Sequence, residues 1–152
     1  MRTKAGDFRK DDYKHYNEYA INLIAKYLSK RGFTVLNKEE DYGVDILAYK
    51  NGEEYRIEAE VKRSYYRHFD FNDNYPYKTV SFLGRKKRLA NKGKFWYFVV
   101  CEHTEYCVIC DSDTIYNEEY KLMVDVDNDK RFGTDEFYRV PRELCAFRNL
   151  NE

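Results

Sequence analysis

The chain has 152 residues and a net charge of zero, from 27 basic and 27 acidic side chains. Hydrophobic residues make up 43% and aromatic residues 18% of it, which excludes an intrinsically disordered chain. No run of about 18 apolar residues is present, so no membrane span is expected. We expect residues 1–152 to form a single folded domain.

The first predicted element is a helix over residues 13–31. Its apolar side chains recur at i, i+3 and i+4 and form one stripe, made by Tyr16, Ala20, Leu23, Ile24, Tyr27 and Leu28. Gly32 follows two basic residues, which is typical of the end of a helix. Residues 33–37 are then predicted to form a strand.

The clearest local prediction is a hairpin over residues 43–63. Asn51-Gly52 is typical of a type I′ turn, because both residues tolerate positive φ. This turn would join a strand at 43–50 to a returning strand at 55–63. The hairpin matters most for function, since it fixes which side chains share a face.

The second half of the chain is predicted to contain mainly strands. A polar loop at 64–78 is followed by a basic segment at 81–94, predicted to be a loop or a short helix. The apolar run 94–101 suits a central strand that is buried on both faces, with 105–112 as its neighbour. Three further elements are predicted: short strands at 122–126 and 136–140, and a short final helix at 141–147 with Pro141 at its first position.

The predicted hairpin gathers charged side chains on one face. With a two-residue turn at 51–52, Asp45 faces Glu58, and Glu60 and Lys62 share that face. The opposite face is apolar and carries Val44, Ile46, Ala48, Ile57, Ala59 and Val61. An ordinary solvent-facing strand is the alternative interpretation.

Carboxylates this close repel each other unless a cation lies between them. Mg²⁺ suits one or two carboxylates together with a substrate phosphate, and Mn²⁺ is an alternative ion. Such a metal lowers the pKa of a bound water, and a nearby lysine stabilises the charged transition state. Phosphodiester hydrolysis needs these groups in one place, so the face predicts a hydrolytic site.

Asp45 followed by Glu60-Val61-Lys62 resembles the motif of the PD-(D/E)XK nuclease superfamily. The surroundings are also similar over about residues 15–110: a leading helix with Glu18, a Gly32-Phe33 boundary, the hairpin and a later apolar strand. Two departures stand out, since Val44 replaces the proline of the motif and the chain has no glutamine, which exonuclease-like members often carry.

The resemblance implies an α/β fold with a restriction-endonuclease-like core, in which helices flank a mixed sheet that includes the motif-bearing antiparallel hairpin. It implies that Asp45, Glu60 and the Val61 carbonyl bind the metal and that Lys62 is the catalytic lysine. Glu58 is extra, either a second metal ligand or only the neighbour of Asp45. Glu18 is a further catalytic candidate, although the helical wheel places it opposite the apolar stripe, where it would face solvent.

The charge distribution predicts where DNA would bind. Residues 62–94 contain ten Lys or Arg and two acids, whereas residues 101–152 contain thirteen acids and six bases. The predicted phosphate contacts are Arg63, Arg67, Arg85, Lys86, Lys87 and Arg88. Tyrosines at 65, 66, 75 and 77 are candidates for stacking on bases, and a solvated basic surface is the alternative.

The four cysteines offer a different interpretation. Cys107 and Cys110 have the spacing of half a zinc site, which His103 and Cys145 would complete. Thiols three residues apart on a strand point to opposite faces, so small core residues are the favoured interpretation. No signal peptide is visible, so we expect a cytoplasmic protein with reduced thiols. A phage or a mobile element is a candidate source of the gene.

The sequence therefore favours a Mg²⁺-dependent endonuclease that acts on duplex or branched DNA, with a homodimer as a plausible assembly. Three alternatives stay open: a catalytically inactive nuclease-like domain that binds nucleic acid, a protein-interaction domain whose acidic half binds a basic partner, and an enzyme that acts on RNA.

Overall fold

A computed structural model describes residues 10–36, 44–62, 70–102, 104–128 and 131–152. Two α-helices lie within these residues, α1 (Lys10–Lys30) and the short α2 (Ser112–Ile115). A 3₁₀ helix at Gly84–Lys92 is called the basic helix here. Short 3₁₀ turns lie at Glu118–Tyr120 and Arg142–Leu144. The strands are β1 (Thr34–Leu36), β2 (Ile46–Lys50), β3 (Glu53–Lys62), β4 (Thr79–Leu83), β5 (Phe95–Cys101), β6 (Tyr106–Asp111), β7 (Lys121–Asn128), β8 (Arg131–Pro141) and β9 (Ala146–Asn149).

The strands form two sheets, so the molecule is a mixed α/β protein. The main sheet has six strands in the order β1-β2-β3-β5-β6-β9. It is mixed because β3 and β5 pair in parallel while its other pairs are antiparallel. The second sheet has the order β4-β8-β7 and is antiparallel. Helix α1 covers one face of the main sheet, and the second sheet covers the other.

The helix prediction is confirmed for α1. The predicted stripe is buried from Ala20 to Leu28, while Tyr16 lies outside the side chains that the structure describes. The helix ends because Gly32 adopts a φ of 88°, which glycine reaches without a steric cost. The Phe33 N–H then donates to the Leu28 carbonyl at 3.1 Å, closing the last turn.

The predicted hairpin is also confirmed, including its register. Asn51 and Gly52 have φ values of 53° and 81°, as a type I′ turn requires. Ile46 pairs with Ile57, so the residue numbers of each pair sum to 103, as expected. Strand β2 begins at Ile46, and residues 44–45 form a bend before it.

Two cores lie on either side of the main sheet. The helix-side core packs between this sheet and α1, and it includes Ile24, Leu28, Ile46, Ala48, Ile57, Ala59 and Val100. The inner core packs between the two sheets, and it includes Leu47, Phe82, Phe95, Tyr97, Val99, Tyr138 and Val140. Val44 packs in the inner core, not beside Ile46 as predicted, because the bend before β2 breaks the alternation of side chains.

The predicted central strand β5 is confirmed. It lies between β3 and β6, and its side chains alternate between the two cores. Parallel pairing with β3 requires a long crossover connection. The chain between Lys62 and Phe95 supplies this crossover, and it carries β4 and the basic helix across the inner-core face.

Two predictions about the second half were wrong in part. The segment 81–94 begins inside a strand, because β4 extends to Leu83 and buries Val80 and Phe82 against the inner core. The predicted final helix is only a 3₁₀ turn at Arg142–Leu144, followed by β9, which pairs with the edge of β6. Pro141 ends β8 and does not begin a helix. The strands predicted at 122–126 and 136–140 are confirmed within the longer β7 and β8.

None of the helices in the described residues has both the length and the apolar character that a membrane crossing requires.

Candidate active site

Four charged side chains alternate along one face of β3, at positions 56, 58, 60 and 62. Arg56 and Glu58 are buried, with 8% and 9% of their surfaces exposed. Glu60 and Lys62 are half-buried. This face looks toward the inner core, where the crossover segment covers it. The alternative of a solvent-facing strand is therefore wrong, and each charge on this face needs a partner.

Asp45 lies in the bend before β2, where a backbone hydrogen bond fixes its carboxylate. The Ala59 N–H donates to Asp45 Oδ2 at 2.8 Å. This bond ties the bend to β3 and places Asp45 beside Glu58. Burial raises the pKa of Glu58, and the negative charge of Asp45 raises it further. We call Asp45, Glu58 and Glu60 the carboxylate cluster.

Lys86 of the basic helix forms an ion pair with Glu58. Its Nζ lies 2.6 Å from Glu58 Oε2, and the two side chains are 18% and 11% exposed. Burial by itself would lower the pKa of Lys86, but the charges of Glu58, Glu60 and Asp45 raise it above its ordinary value. Lys86 is thus an ammonium group beside all three carboxylates. The sequence predicts Lys86 to be part of a DNA-binding surface, and no sequence pattern indicates its pairing with Glu58.

Glu60 accepts a hydrogen bond from the Tyr97 hydroxyl through Oε1. Tyr97 lies on β5, one strand away, and its side chain is fully buried. Burial raises the pKa of Tyr97, and the Glu60 charge raises it further, so the hydroxyl stays protonated and donates. Sequence reasoning missed Tyr97, which lies within the apolar run of β5.

Lys62 and Val61 lie at the end of β3. The Lys62 carbonyl accepts a hydrogen bond from the Glu102 N–H at 3.0 Å, which fixes the strand end against the turn after β5. The Val61 side chain packs against the helix-side core. Lys62 therefore lies on the inner face, as predicted, while Val61 points away from it.

A cleft of about 640 Å³ opens between the main sheet and the second sheet. Glu60 and Lys62 are the predicted site residues that line it. The other lining residues are Phe71, Tyr75, Tyr77, Thr79, Val80, Ser81, Val99 and Arg139. The two motif residues of β3 thus reach a space that admits a ligand.

Glu18 does not lie near this cleft. It is exposed on α1 and lines a groove of about 320 Å³ with Val35, Leu36 and Ile46. This groove is on the helix side of the main sheet, across the sheet from Glu58 and Glu60. Its place supports the solvent-facing alternative that the helical wheel gave.

The remaining basic candidates differ in position. Arg85, Lys87 and Arg88 are exposed on the basic helix, next to Lys86. Arg63 and Arg67 lie outside the described residues. Three of the six predicted phosphate contacts are therefore exposed next to Lys86. Lys86 itself is a fourth, and it pairs with Glu58 in the carboxylate cluster.

The donor chemistry of the carboxylate cluster suits a hard divalent cation, since all its side-chain oxygens are carboxylate oxygens. The cluster is not arranged as a ready-made cage. In the part of the chain that the structure describes, no three Asp, Glu, His or Cys side chains converge as metal ligands. Each carboxylate instead accepts a hydrogen bond from its own donor. Asp45 accepts from the Ala59 N–H, Glu58 from the Lys86 ammonium, and Glu60 from the Tyr97 hydroxyl. Two carboxylates with a substrate phosphate are enough for Mg²⁺, so the residues fit this ion.

The cysteines support the interpretation as core residues. Cys107 is buried in the helix-side core and Cys110 in the inner core, so their thiols point to opposite faces of β6. All four cysteines are free thiols. Cys110 interacts with Cys145 rather than with Cys107, and His103 lies outside the described residues.

A scan against protein-family models found no matching family, and a search of curated proteins found no match.

Removing Lys86 is expected to destabilise the fold. Lys86→Met leaves the buried Glu58 without its counter-charge, which should lower the free energy of unfolding by about 3 kcal/mol. Lys92→Met, at an exposed lysine of the same helix, should change it by less than about 0.5 kcal/mol. Denaturant unfolding of both variants measures this difference, and equal stabilities would show that the ion pair contributes nothing.

The raised pKa of Glu58 predicts a pH dependence of stability. Above its ordinary value of 4.5 the folded chain holds a proton that the unfolded chain has lost, so the free energy of unfolding falls as pH rises through this window. Glu58→Gln has no carboxyl group to titrate at this position. The free energy of unfolding of this variant minus that of wild type should therefore rise with pH until Glu58 of the wild type is fully ionised. Denaturation at several pH values tests this, with exposed Glu119→Gln as the control. Parallel curves for Glu58→Gln and wild type would contradict it.

Proposed function

We propose that this protein is a Mg²⁺-dependent nuclease that hydrolyses DNA phosphodiester bonds on a restriction-endonuclease-like core. One observation carries the proposal: Asp45, Glu58 and Glu60 lie together beside Lys86, and Glu60 and Lys62 of the same strand line a cleft. Burying a charged side chain costs folding free energy. Clusters of buried titratable groups with shifted pKa values are characteristic of functional sites.

The order of the elements supports the same proposal. The motif resembling PD-(D/E)XK lies on a hairpin that follows a leading helix, and the later apolar strand β5 pairs in parallel with the motif strand. The leading helix, the hairpin and the later apolar strand are features of the resemblance, and the parallel pairing is an addition to them. The other face of the main sheet departs from the resemblance, which implies flanking helices, because the second sheet and the basic helix cover this face.

In this proposal Asp45 and Glu60 hold the metal, and the Val61 carbonyl is the further ligand that the resemblance implies. The bound ion would supply a more acidic water and neutralise charge on the phosphate. Tyr97 fixes the orientation of Glu60 through its hydrogen bond. Lys62 lines the cleft, where its ammonium stabilises charge that develops on the phosphate oxygens.

The exposed cations of the basic helix have a positioning role in this proposal. Arg85, Lys87 and Arg88 contact phosphates and hold the strand, without reading sequence. Arg63 and Arg67 are proposed for the same role. A homodimer that acts on duplex or branched DNA is the proposed assembly.

A catalytically inactive domain that binds nucleic acid is the second candidate, and one observation favours it. Each carboxylate of the cluster already has a donor from the protein, and Lys86 supplies the positive charge that a metal would bring. In this case the cluster would serve the fold and not catalysis.

Cleavage assays separate the two candidates. Supercoiled plasmid and a four-way junction are incubated with Mg²⁺, Mn²⁺ or EDTA. We expect metal-dependent cutting that Lys62→Ala reduces by at least about 100-fold, since it removes a charge-stabilising group. Lys26→Ala, at an exposed lysine of α1 away from the cleft, is the matched control and should cut normally. Equal cutting by Lys62→Ala would refute the assigned role, and a wild type that cuts nothing under any metal would favour the inactive domain.

A further inference from the structure

The cleft has an aromatic wall opposite the motif residues. Tyr77 lines it with half of its surface exposed. Tyr75 lies behind Tyr77 and is buried, with the two ring centroids 5.6 Å apart in an edge-to-face contact. The exposed ring is therefore supported by a second ring and is held in place.

Hydrogen bonds fix the backbone of this wall. The Arg142 guanidinium donates to the carbonyls of Tyr75 at 2.7 Å and Tyr77 at 3.2 Å. It also lies 5.1 Å from the centre of the Tyr75 ring, a cation–π contact. The Arg142 N–H donates to the Lys78 carbonyl at 2.9 Å. The aromatic segment is thus attached to the end of β8 at three points.

Arg139 adds a positive charge to the same cleft. It lies on β8, where its Cα pairs with that of Ser81 on β4, and its side chain is exposed. Arg139 and Lys62 are the cations among the described residues that line the cleft. An aromatic face and a guanidinium in one cleft match the base and the phosphate of a nucleotide.

The size and shape of the cleft decide the form of the nucleic acid. Its volume of about 640 Å³ lies within the range of about 300–1,000 Å³ for pockets that hold small organic ligands, and one nucleotide unit is a ligand of this kind. A base inside a duplex is stacked on both faces and presents only its edge in a groove. A base can lie flat on Tyr77 only after it has left the stack.

We propose that the cleft binds one unpaired nucleotide of single-stranded DNA, with its base stacked on Tyr77 and its phosphate paired with Arg139. The stacked base fixes the strand so that the neighbouring phosphodiester lies at Glu60 and Lys62. This last step rests on the proposed nuclease function, whereas the binding step does not need a metal.

Binding is measured by fluorescence anisotropy in EDTA, with a labelled twelve-nucleotide oligothymidylate and with a hairpin duplex of similar charge. We expect the single strand to bind more tightly than the duplex. Tyr77→Ala should weaken single-strand binding by about 5- to 150-fold, the loss of one base–aromatic stack. Tyr77→Phe should restore it, because the ring stacks and the hydroxyl does not.

Tyr19→Ala and Arg148→Ala are the control variants for Tyr77→Ala and Arg139→Ala. Tyr19→Ala removes another exposed tyrosine, on α1, and should leave binding within about twofold of wild type. Arg139→Ala should weaken single-strand binding and reduce its salt dependence, while Arg148→Ala, at an exposed arginine of β9, should do so less. Circular dichroism of each variant shows whether it is folded, and the two separate positions keep the test valid if one variant is not.

Equal affinity for duplex and single strand, or equal effects of Tyr77→Ala and Tyr19→Ala, would overturn this proposal. The nuclease proposal fails separately. If single-strand binding depends on Tyr77 but no metal gives cleavage, the nucleotide site stands and the enzyme does not. If duplex DNA is cut while Tyr77→Ala does not change single-strand binding, the nuclease proposal stands and the nucleotide site does not.

Discussion

Arg56 and Glu58 on the inner face of β3 must be paired, because the crossover segment buries them. Both buried charges find partners on or beside the basic helix: Glu58 pairs with Lys86, and Arg56 donates to the carbonyls of Leu89 and Gly93. These contacts hold the basic helix along β3 at two points. The same constraint orders the carboxylate cluster, since Glu58 binds Lys86 and lies beside Asp45. The ion pair that holds the basic helix against β3 therefore also belongs to the candidate active site.

The parallel pairing of β3 with β5 explains why the cleft exists. The chain must cross over between these two strands, and on the way it forms β4, which joins β8 in the second sheet. The second sheet then faces β3 across the inner core, and the space left near Lys62 is the cleft. Its far wall comes from the segment just before β4, which Arg142 holds in place. The motif residues and the aromatic wall are distant in sequence and meet only through this topology.

Local signals were enough to predict α1, the hairpin and its register, because helix periodicity, an Asn-Gly turn and strand alternation each act over a few residues. The second sheet and β9 depend on pairings between distant segments, such as Thr79 with Pro141, which no local pattern encodes. The same reason explains Lys86. A run of four basic residues predicts a DNA-binding surface, with a solvated surface as the alternative, but the partner of Lys86 is Glu58, which lies 28 residues away. Tyr97 was missed because a polar hydroxyl in an apolar run gives no separate signal.

The proposed activity requires the carboxylate cluster to bind a divalent cation even though each carboxylate already has a hydrogen-bond donor from the protein. Titration of wild type with Mn²⁺ by calorimetry tests this claim without any substrate, with Asp45→Asn and Glu60→Gln as variants of unchanged size. We predict saturable binding to wild type that each variant weakens by at least about tenfold, a loss of about 1.4 kcal/mol. No binding to wild type, or the same affinity in all three proteins, would contradict a metal site at Asp45 and Glu60.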